Sequence, residues 1–268
     1  MSNILDDIIE KRKKTVEQLK TLVPIGSWET MPLFTKKTIS LRESLLKDGS
    51  SGIIAEFKKA SPSKGNINEA ANIFDVVYSY EKHGASAVSI LTEPMFFKGN
   101  NDDILSVAET VKIPILRKDF IFEEYQLLES KALGADVILL IAASLSAAEV
   151  KRLAGYAKNI GLEVLLEIHN DEELDHICDE VDVVGVNNRD LKTFRVDINT
   201  SLMLINKIPT GKIVITESGI SNVETIVTLK RAGFKGFLIG ETFMKEADPG
   251  KTFKKFMDEL KTAINPDL

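Results

Sequence analysis

Residues 52–65 read Gly-Ile-Ile-Ala-Glu-Phe-Lys-Lys-Ala-Ser-Pro-Ser-Lys-Gly. The apolar run Ile53–Ala55 lacks polar alternation, which is typical of a parallel strand covered on both faces. Glu56 and Lys58 stand two apart at the end of this strand, so their side chains point to the same side. The polar loop that follows indicates functional residues at the carboxyl end of a buried strand. A structural ion pair is the alternative interpretation of Glu56 and Lys58.

Seven more apolar runs follow along the chain. With the first, they predict strands at Gly52–Phe57, Ala87–Leu91, Ile113–Arg117, Asp136–Ile141, Glu163–Glu167, Asp182–Val186, Lys212–Thr216 and Gly236–Ile239. Amphipathic segments lie between them, and two open with capping-box spacings, Ser146/Glu149 and Ser221/Glu224. Eight strand–helix units predict the α/β class and a closed (β/α)8 TIM barrel. An open doubly wound sheet is the alternative, but no glycine-rich dinucleotide fingerprint follows the first strand.

The segment before the first strand is predicted to be helical. A charged amphipathic helix comes first, and a connection from Val23 to Pro32 leads to a short polar helix around Ser40–Lys47. No interior linker is evident. We therefore predict one barrel domain over residues 1–268, in which residues 1–48 form a helical extension.

The composition limits the partners of the protein. The 268 residues carry a formal net charge of −6, which gives no bulk attraction to nucleic acid or to an anionic membrane. The basic run Lys11–Lys14 is flanked by acidic residues and is predicted to lie on a solvated helix face. No apolar run approaches the roughly 18 residues of a membrane span, and the N-terminus has no apolar signal core. We expect a cytoplasmic protein with no nucleic-acid or membrane partner.

The chain has few soft metal ligands. One cysteine, Cys178, excludes an internal disulfide, and three dispersed histidines (His83, His169 and His176) make a zinc cluster improbable. Cys178 and His176 are expected in a helix, where residues two apart point in different directions. Neither is predicted to be catalytic, and no metal is expected.

Polar groups or glycines end seven of the eight predicted strands. They are Glu56 and Lys58; Thr92 and Glu93; Arg117 to Asp119; Glu167; Asn187 to Asp190; Glu217 to Gly219; and Gly240 with Glu241. Charged side chains are seldom buried unless they are paired, so carrying so many at one rim costs stability. A functional site explains this cost, because the carboxyl ends of barrel strands meet at one face.

Three features of this rim predict its chemistry. Glu167 is a natural general base beside lysines. Glycines after strands seven and eight lie where many barrels hold a phosphate, although they could serve only the turns. Three aromatic residues, Phe96, Phe97 and Phe120, follow strands two and three and could line an apolar pocket or belong to the core.

Several motifs resemble those of indole-3-glycerol-phosphate synthase. They are Ile54 to Gly65, Leu116 to Phe120, Leu166 to His169, Gly185 to Leu191 and Glu217 to Ile220. The resemblance covers essentially the whole chain. It implies ring closure of 1-(2-carboxyphenylamino)-1-deoxyribulose 5-phosphate to indole-3-glycerol phosphate, carbon dioxide and water in tryptophan biosynthesis. It also implies a carbon–carbon lyase that needs no cofactor.

The resemblance also implies catalytic roles. Lys118 would be the general acid at the substrate carbonyl, with a pKa depressed by neighbouring cations. Glu167 would be the acid–base partner in dehydration, supported by Glu56 and Asn187. Lys58 would bind the anthranilate carboxylate and is a second candidate for proton transfer.

The remaining implied roles concern substrate binding. Ser218, which also belongs to the catalytic set, would cradle the phosphate with Ser61, Gly219, Gly240 and Glu241. Phe97 and Phe120 would form walls around the anthranilate ring, and Arg189 would hold the charged network. Arg117 departs from the family pattern at a position where an apolar residue would also serve, and Glu241-Thr242 makes the last phosphate turn less serine-rich than in some relatives.

Two rival functions stay open from the sequence. One is the isomerase of the same pathway, which would use a cysteine/aspartate pair; the other is a catalytically silent barrel acting as a scaffold. We expect a monomer, with a weak homodimer as the alternative, and a monofunctional chain ending at Leu268.

Overall fold

The computed structural model describes residues 4–264, so residues 1–3 and 265–268 of the predicted domain lie outside the described part. Eight parallel strands form a closed barrel. They are β1 (Ile53–Phe57), β2 (Ala87–Leu91), β3 (Ile115–Lys118), β4 (Val137–Ile141), β5 (Glu163–Ile168), β6 (Val183–Asn187), β7 (Ile213–Glu217) and β8 (Gly236–Ile239). Each strand pairs with its neighbours in sequence, and β8 closes on β1 through Ile54 and Leu238.

The barrel prediction is therefore confirmed, and the open sheet is wrong. All eight strands are present, with ends that differ from the predicted ones by at most two residues. A short antiparallel hairpin, in which Ala60–Ser61 pairs with Gly65–Asn66, lies in the loop after β1.

Helices surround the barrel and precede it. They are α1 (Ile4–Leu22), α2 (Ile25–Glu29), α3 (Leu41–Leu46), α4 (Ile73–Lys82), α5 (Asn101–Val107), α6 (Glu124–Leu133), α7 (Ala147–Asn159), α8 (Asn199–Leu204), α9 (Val223–Arg231), α10 (Glu241–Met244) and α11 (Pro249–Ile264). Short 3-10 helices lie at Pro32–Thr35, Ala142–Ser144, Asp171–His176 and Ile205–Lys207. None of the helices within residues 4–264 is long and apolar enough to cross a membrane.

Side-chain alternation on the strands creates two apolar layers. Inward residues such as Leu116 and Leu165 pack inside the barrel, whereas outward residues such as Ile115 and Leu166 pack against the helices. Leu41 and Leu45 of α3 join the interior layer. The barrel is thus filled with side chains and leaves the carboxyl ends of its strands for polar groups.

The first two helices of the N-terminal extension pack against the outside of the barrel. Val16 of α1 packs with Trp28 of α2 and with Tyr125 and Leu128 of α6. Farther along, the Ser40 hydroxyl caps α3 and bonds a carboxylate oxygen of Glu163 at the start of β5. The extension therefore contacts both the helix layer and the amino-terminal end of a barrel strand.

Three local predictions are corrected. The connection after Val23 contains a helix, α2. Ser146 and Glu149 do form a capping box, but α9 is capped by the Asn222 side chain instead of the predicted Ser221 pair, because the Asn222 oxygen accepts from the Thr225 amide. Cys178 lies in irregular chain just after the 3-10 helix Asp171–His176, not inside a helix.

Candidate active site

A cavity of about 640 Å³ opens at the carboxyl ends of the barrel strands. This volume suits a small-molecule ligand. Every site residue predicted from the sequence lines it: Glu56, Lys58, Ser61, Phe97, Lys118, Phe120, Glu167, Asn187, Arg189, Ser218, Gly219, Gly240 and Glu241. The structure brings these residues together, while their individual roles stay predictions.

Strand alternation explains why these side chains face the cavity. Ile54 and Leu116 lie in the barrel interior, so residues two and four positions later point the same way. Glu56, Lys58 and Lys118 accordingly continue the inward rows of β1 and β3 above the apolar filling. The alternation of side chains that builds the barrel interior thus also directs the charged side chains into the cavity.

Lys118 lies among three carboxylates. Its Nζ is 2.6 Å from Glu217 Oε2, 3.5 Å from Glu56 Oε2 and 3.9 Å from Glu167 Oε2. Burial disfavours the ammonium, but attraction from these carboxylates outweighs it and raises the pKa of Lys118. The expected depression of this pKa is therefore wrong, because anions rather than cations surround the group.

Glu56 and Lys58 form the ion pair that their spacing allows. Lys58 Nζ lies 2.6 Å from Glu56 Oε1. Burial favours the neutral acid, yet the charges of Lys58 and Lys118 lower the pKa of Glu56 below its usual value. The pair lies in the cavity wall rather than in a sealed position, so it can also meet a ligand.

Glu167 is held between two cations. Lys118 lies on one side, and His169 Nε2 approaches Glu167 Oε1 to 3.2 Å. Burial opposes ionisation, but the neighbouring His169, Lys118 and Asn187 lower the pKa of Glu167 to about 2. A carboxylate at this position is ionised and can act as a base.

Glu217 belongs to the same cluster, although it was not chosen as a site residue from the sequence. Burial raises its pKa to about 7, and the charges of Glu167 and Glu56 add to the rise against the opposing charge of Lys118. Glu217 Oε1 has no hydrogen-bond partner among the described residues. The signal that could have found it is the one used for Glu167, a lone acid ending an apolar strand.

The loops after β7 and β8 form one side of the cavity. Gly219 has φ +77°, and a Cβ there would meet Val196 Cγ1 at 2.4 Å. A Cβ on Gly240 would meet Glu56 Oε1 at 2.4 Å, so glycine lets β8 approach the Glu56 carboxylate. Lys64 from the loop after β1 reaches Glu241 Oε1 at 3.3 Å and closes this side.

The opposite wall is apolar. The rings of Phe97 and Phe120 lie with centroids 5.9 Å apart and tilted by 40°. Phe96 does not join them; its ring lies 4.8 Å from Lys11 Nζ, outside the lining. Glu93 is also structural here, since its carboxylate accepts bonds from the backbone amides of residues 95, 96 and 97. This turn directs Phe97 into the cavity.

The contribution of the N-terminal extension to the cavity was missed in the sequence. Ile4, Leu5 and Ile8 of α1 line the cavity, so the extension is part of the site. Arg189, which was predicted, also lines the cavity, and its backbone amide donates to Asn187 Oδ1 at 3.0 Å.

A second charged cluster, the sealed cluster of Arg12, Arg117, Asp119 and Glu129, borders the cavity: Asp119 belongs to the lining, but its side chain has no exposed surface. Arg12 binds both carboxylate oxygens of Asp119, at 2.9 and 2.7 Å. Arg117 is wholly buried and donates to Asp119 at 3.1 Å and to Glu129 at 2.6 Å. The prediction of a solvated face is thus wrong for Arg12, and Arg117 is a structural partner of Asp119 rather than a replaceable position.

Comparison with known families identifies the chain. A sequence model of the family described as indole-3-glycerol phosphate synthase matches residues 5–256. The chain belongs to this family. The predicted family is therefore confirmed, and with it a carboxy-lyase of tryptophan biosynthesis.

Individual relatives cover nearly the whole chain. The indole-3-glycerol phosphate synthase of Bacteroides thetaiotaomicron is 44% identical over 260 residues, which are 97% of this chain and 100% of the relative. That of Caldanaerobacter subterraneus subsp. tengcongensis is 44% identical over 259 residues, 96% of this chain and 99% of the relative.

Solved structures that match the fold are much more distant in sequence. A tryptophan synthase complex from Pyrococcus furiosus matches with a TM-score of 0.59 and 17% identity, over 79% of this chain and 98% of the other. The 3-hexulose-6-phosphate synthase of Salmonella typhimurium matches with a TM-score of 0.61 and 15% identity, over 79% and 99%. At such identities the likeness supports the barrel fold alone.

Proposed function

We propose that the cavity converts 1-(2-carboxyphenylamino)-1-deoxyribulose 5-phosphate to indole-3-glycerol phosphate, carbon dioxide and water, with Lys118 as the general acid. The observation that carries this assignment is the Lys118 ammonium, which lies among Glu56, Glu167 and Glu217 at the base of a cavity with one aromatic wall and one glycine-rich side.

Lys118 acts in the ring-closing step. Attack of the anthranilate ring carbon on the ketone carbonyl places negative charge on the carbonyl oxygen, and a positioned ammonium stabilises that charge and then donates its proton. The raised pKa of Lys118 keeps the proton on the nitrogen until the alkoxide develops. Loss of carbon dioxide then restores the aromatic ring.

Glu167 and Glu217 act in the dehydration. One group must accept a proton while another protonates the departing hydroxyl. Glu167, with a pKa of about 2, is the base, and Glu217, with a pKa of about 7, can carry a proton near neutral pH. Two carboxyl groups with separated pKa values divide the roles of acid and base between them. Glu56 and Asn187 support Glu167.

The two sides of the cavity bind the two ends of the substrate. Lys58 holds the anthranilate carboxylate beside the walls of Phe97 and Phe120. The phosphate lies on the opposite side, against the backbone of Ser218, Gly219 and Gly240, with Ser61 and Glu241 at its edge; Arg189 holds the loop that carries Asn187.

The isomerase alternative lacks a suitable acid–base pair. Its cysteine/aspartate chemistry would need a cysteine in the cavity, and Cys178 does not line it. A silent scaffold is disfavoured because structural burial alone does not account for three carboxylates and two lysines around an open cavity.

Purified protein with the carboxyphenylamino substrate should produce indole absorbance and one carbon dioxide per product. The isomerase substrate, phosphoribosylanthranilate, is the matched control and should be left unchanged. Absence of an indole product from an enzyme that is folded by circular dichroism would sink the proposal.

We also propose that the chain works as one domain, as a monomer in the cytoplasm. Bonds from Arg12 to Asp119 and from Lys36 to Asp136 tie the extension to the barrel, which supports a single unit. Sedimentation at several concentrations separates the monomer from a weak homodimer.

A further inference from the structure

His169 lies behind Glu167 and does not line the cavity among the described residues. Its Nε2 lies 3.2 Å from Glu167 Oε1, and its Nδ1 lies 3.1 Å from Glu173 Oε2. Its backbone amide also donates to Glu173 Oε2 at 2.7 Å. Glu173 belongs to the 3-10 helix Asp171–His176, where the Asn170 side chain holds its other oxygen at 3.0 Å. The imidazole is therefore fixed between two carboxylates.

The contacts of both ring nitrogens determine the charge of this imidazole. A neutral imidazole has one N–H donor and one acceptor nitrogen, whereas an ionised carboxylate only accepts. If His169 were neutral, one of its nitrogens would place a lone pair within 3.2 Å of a carboxylate oxygen. An imidazolium donates from Nδ1 to Glu173 and sets its positive charge beside Glu167, with Nε2 at 3.2 Å from Oε1, which removes this conflict.

We propose that His169 is a positioning residue, a permanently charged imidazolium that orients Glu167 and holds it as an anion for proton transfer. This role rests on the proposed function of Glu167. His169 touches neither the cavity nor the reacting atoms, so it acts only through the carboxylate.

The surrounding charges agree with this role. Glu167 and Glu173 face His169. Lys118 and Asn187 lie next to Glu167 on its cavity side. Burial disfavours the imidazolium, but the two carboxylates beside it raise the pKa of His169 to about 10. The group stays charged throughout the neutral range.

Loss of this charge has a definite consequence for the cluster. Glu56, Glu167 and Glu217 carry three potential negative charges, against Lys58 and Lys118 on the cavity side. Without the imidazolium, Glu167 and Glu217 together bind a proton more tightly, because like charges at close range resist joint ionisation. Glu167 then loses this proton, and becomes able to act as a base, only at a higher pH.

Nitrogen-15 NMR of histidine-labelled enzyme tests the charge directly. The His169 resonances, assigned by their loss in His169→Asn, should show two protonated ring nitrogens at pH 8. Glu173→Gln should lower the pH at which one of these protons is lost. A neutral tautomer of His169 at pH 7 in the wild-type enzyme would overturn the proposal, whatever the activity.

The pH profile tests the effect on Glu167. His169→Asn retains a donor but no charge, and should move the acidic limb of kcat/KM upward by about one pH unit, which is about a tenfold loss at a pH on that limb. Recovery is expected above the limb. His83→Asn, at the end of α4, is the control and should leave the profile unchanged.

The outcomes separate this proposal from the proposed function. A wild-type enzyme that forms no indole product contradicts the proposed function, while the NMR result still decides the charge of His169. An active wild-type enzyme whose profile is unchanged in both His169→Asn and Glu173→Gln contradicts the positioning role alone. If His169→Asn does not fold, Glu173→Gln supplies the same test with a smaller shift.

Discussion

Arg117 and Lys118 are neighbours on β3, yet they belong to two different charged clusters. Lys118 points into the barrel and lines the cavity, whereas Arg117 points outward into the layer between strands and helices. Both side chains are largely withdrawn from water, and both are paired with carboxylates. Adjacent positions of one strand thus carry a reactive group and a structural one.

The sealed cluster is balanced. Two guanidinium groups, Arg12 and Arg117, meet two carboxylates, Asp119 and Glu129. The other donors of Arg117 also find acceptors, in Thr92, Ser130, Asn101 and the carbonyl of Gln126. Such complete pairing is what makes buried charge tolerable.

The cavity cluster is unbalanced. Three carboxylates, Glu56, Glu167 and Glu217, face two ammonium groups, Lys58 and Lys118, and one oxygen of Glu217 has no partner among the described residues. The raised pKa of Glu217 is the direct result. Incomplete pairing beside a cavity, rather than buried charge itself, therefore marks the groups available for proton transfer.

Lys118→Met gives the largest expected effect on activity. Removing the general acid should lower kcat/KM by about 10³-fold, while the enzyme remains folded. Indole absorbance and circular dichroism measure the two quantities. Lys59→Met is the matched control, because Lys59 pairs with Asp103 away from the cavity and should change kcat/KM less than about twofold. Equal losses in both variants would contradict the assignment of Lys118 as the general acid.

Arg117→Met should affect stability instead. It leaves Glu129 buried without its shortest charge partner, which costs about 3–5 kcal/mol of unfolding free energy and roughly 10 °C in melting temperature. Urea and thermal unfolding measure this loss. The folded variant should keep far more activity than Lys118→Met; a comparable drop in kcat would mean that Arg117 also controls the chemistry.

These two neighbours also mark how far the sequence could predict the molecule. Strand periodicity predicted all eight strands, and their polar ends predicted the side chains of the cavity, because both follow from local alternation. Arg12 was assigned to a solvated face since its partner, Asp119, is 107 positions away and nothing local identifies it.

Local sequence patterns also could not predict the charge state of the site. The pKa of Lys118 was expected to fall, but Glu217 and Glu167 reach it from strands far along the chain and raise it instead.

Short capping sequences gave mixed results: Ser146 does cap α7, while Asn222 rather than Ser221 caps α9. The sequence alone does not decide between such neighbouring capping residues.

Arg12→Met should give a smaller loss of stability than Arg117→Met. Asp119 keeps its bonds from Arg117 and Thr92, so the cost should be about 2 kcal/mol, the range of a hydrogen bond to a charged group. KM should rise as well, because α1 carries Leu5 and Ile8 into the cavity wall.

Lys14→Met is the control for the Arg12 variant on the same helix. The Lys14–Glu10 pair is exposed, so this change should alter stability by less than about 0.5 kcal/mol and leave KM unchanged. If Arg12→Met changes stability and KM as little as Lys14→Met does, the sealed cluster does not hold the extension on the barrel.

Glu217→Gln tests the imbalance of the cavity cluster through the pH dependence of stability. Glu217 has a pKa of about 7 in the folded protein against an ordinary glutamate value of 4.5, so the folded state binds its proton more tightly. The contribution of this bound proton to the free energy of unfolding is fully present below pH 4.5 and is lost as the pH rises through about 7. Glutamine has no such proton, so the wild-type protein should lose about 3 kcal/mol relative to the variant between pH 4.5 and 7.5. Urea unfolding of both proteins across this range measures the difference; a constant difference would mean that Glu217 is as well paired as the carboxylates of the sealed cluster.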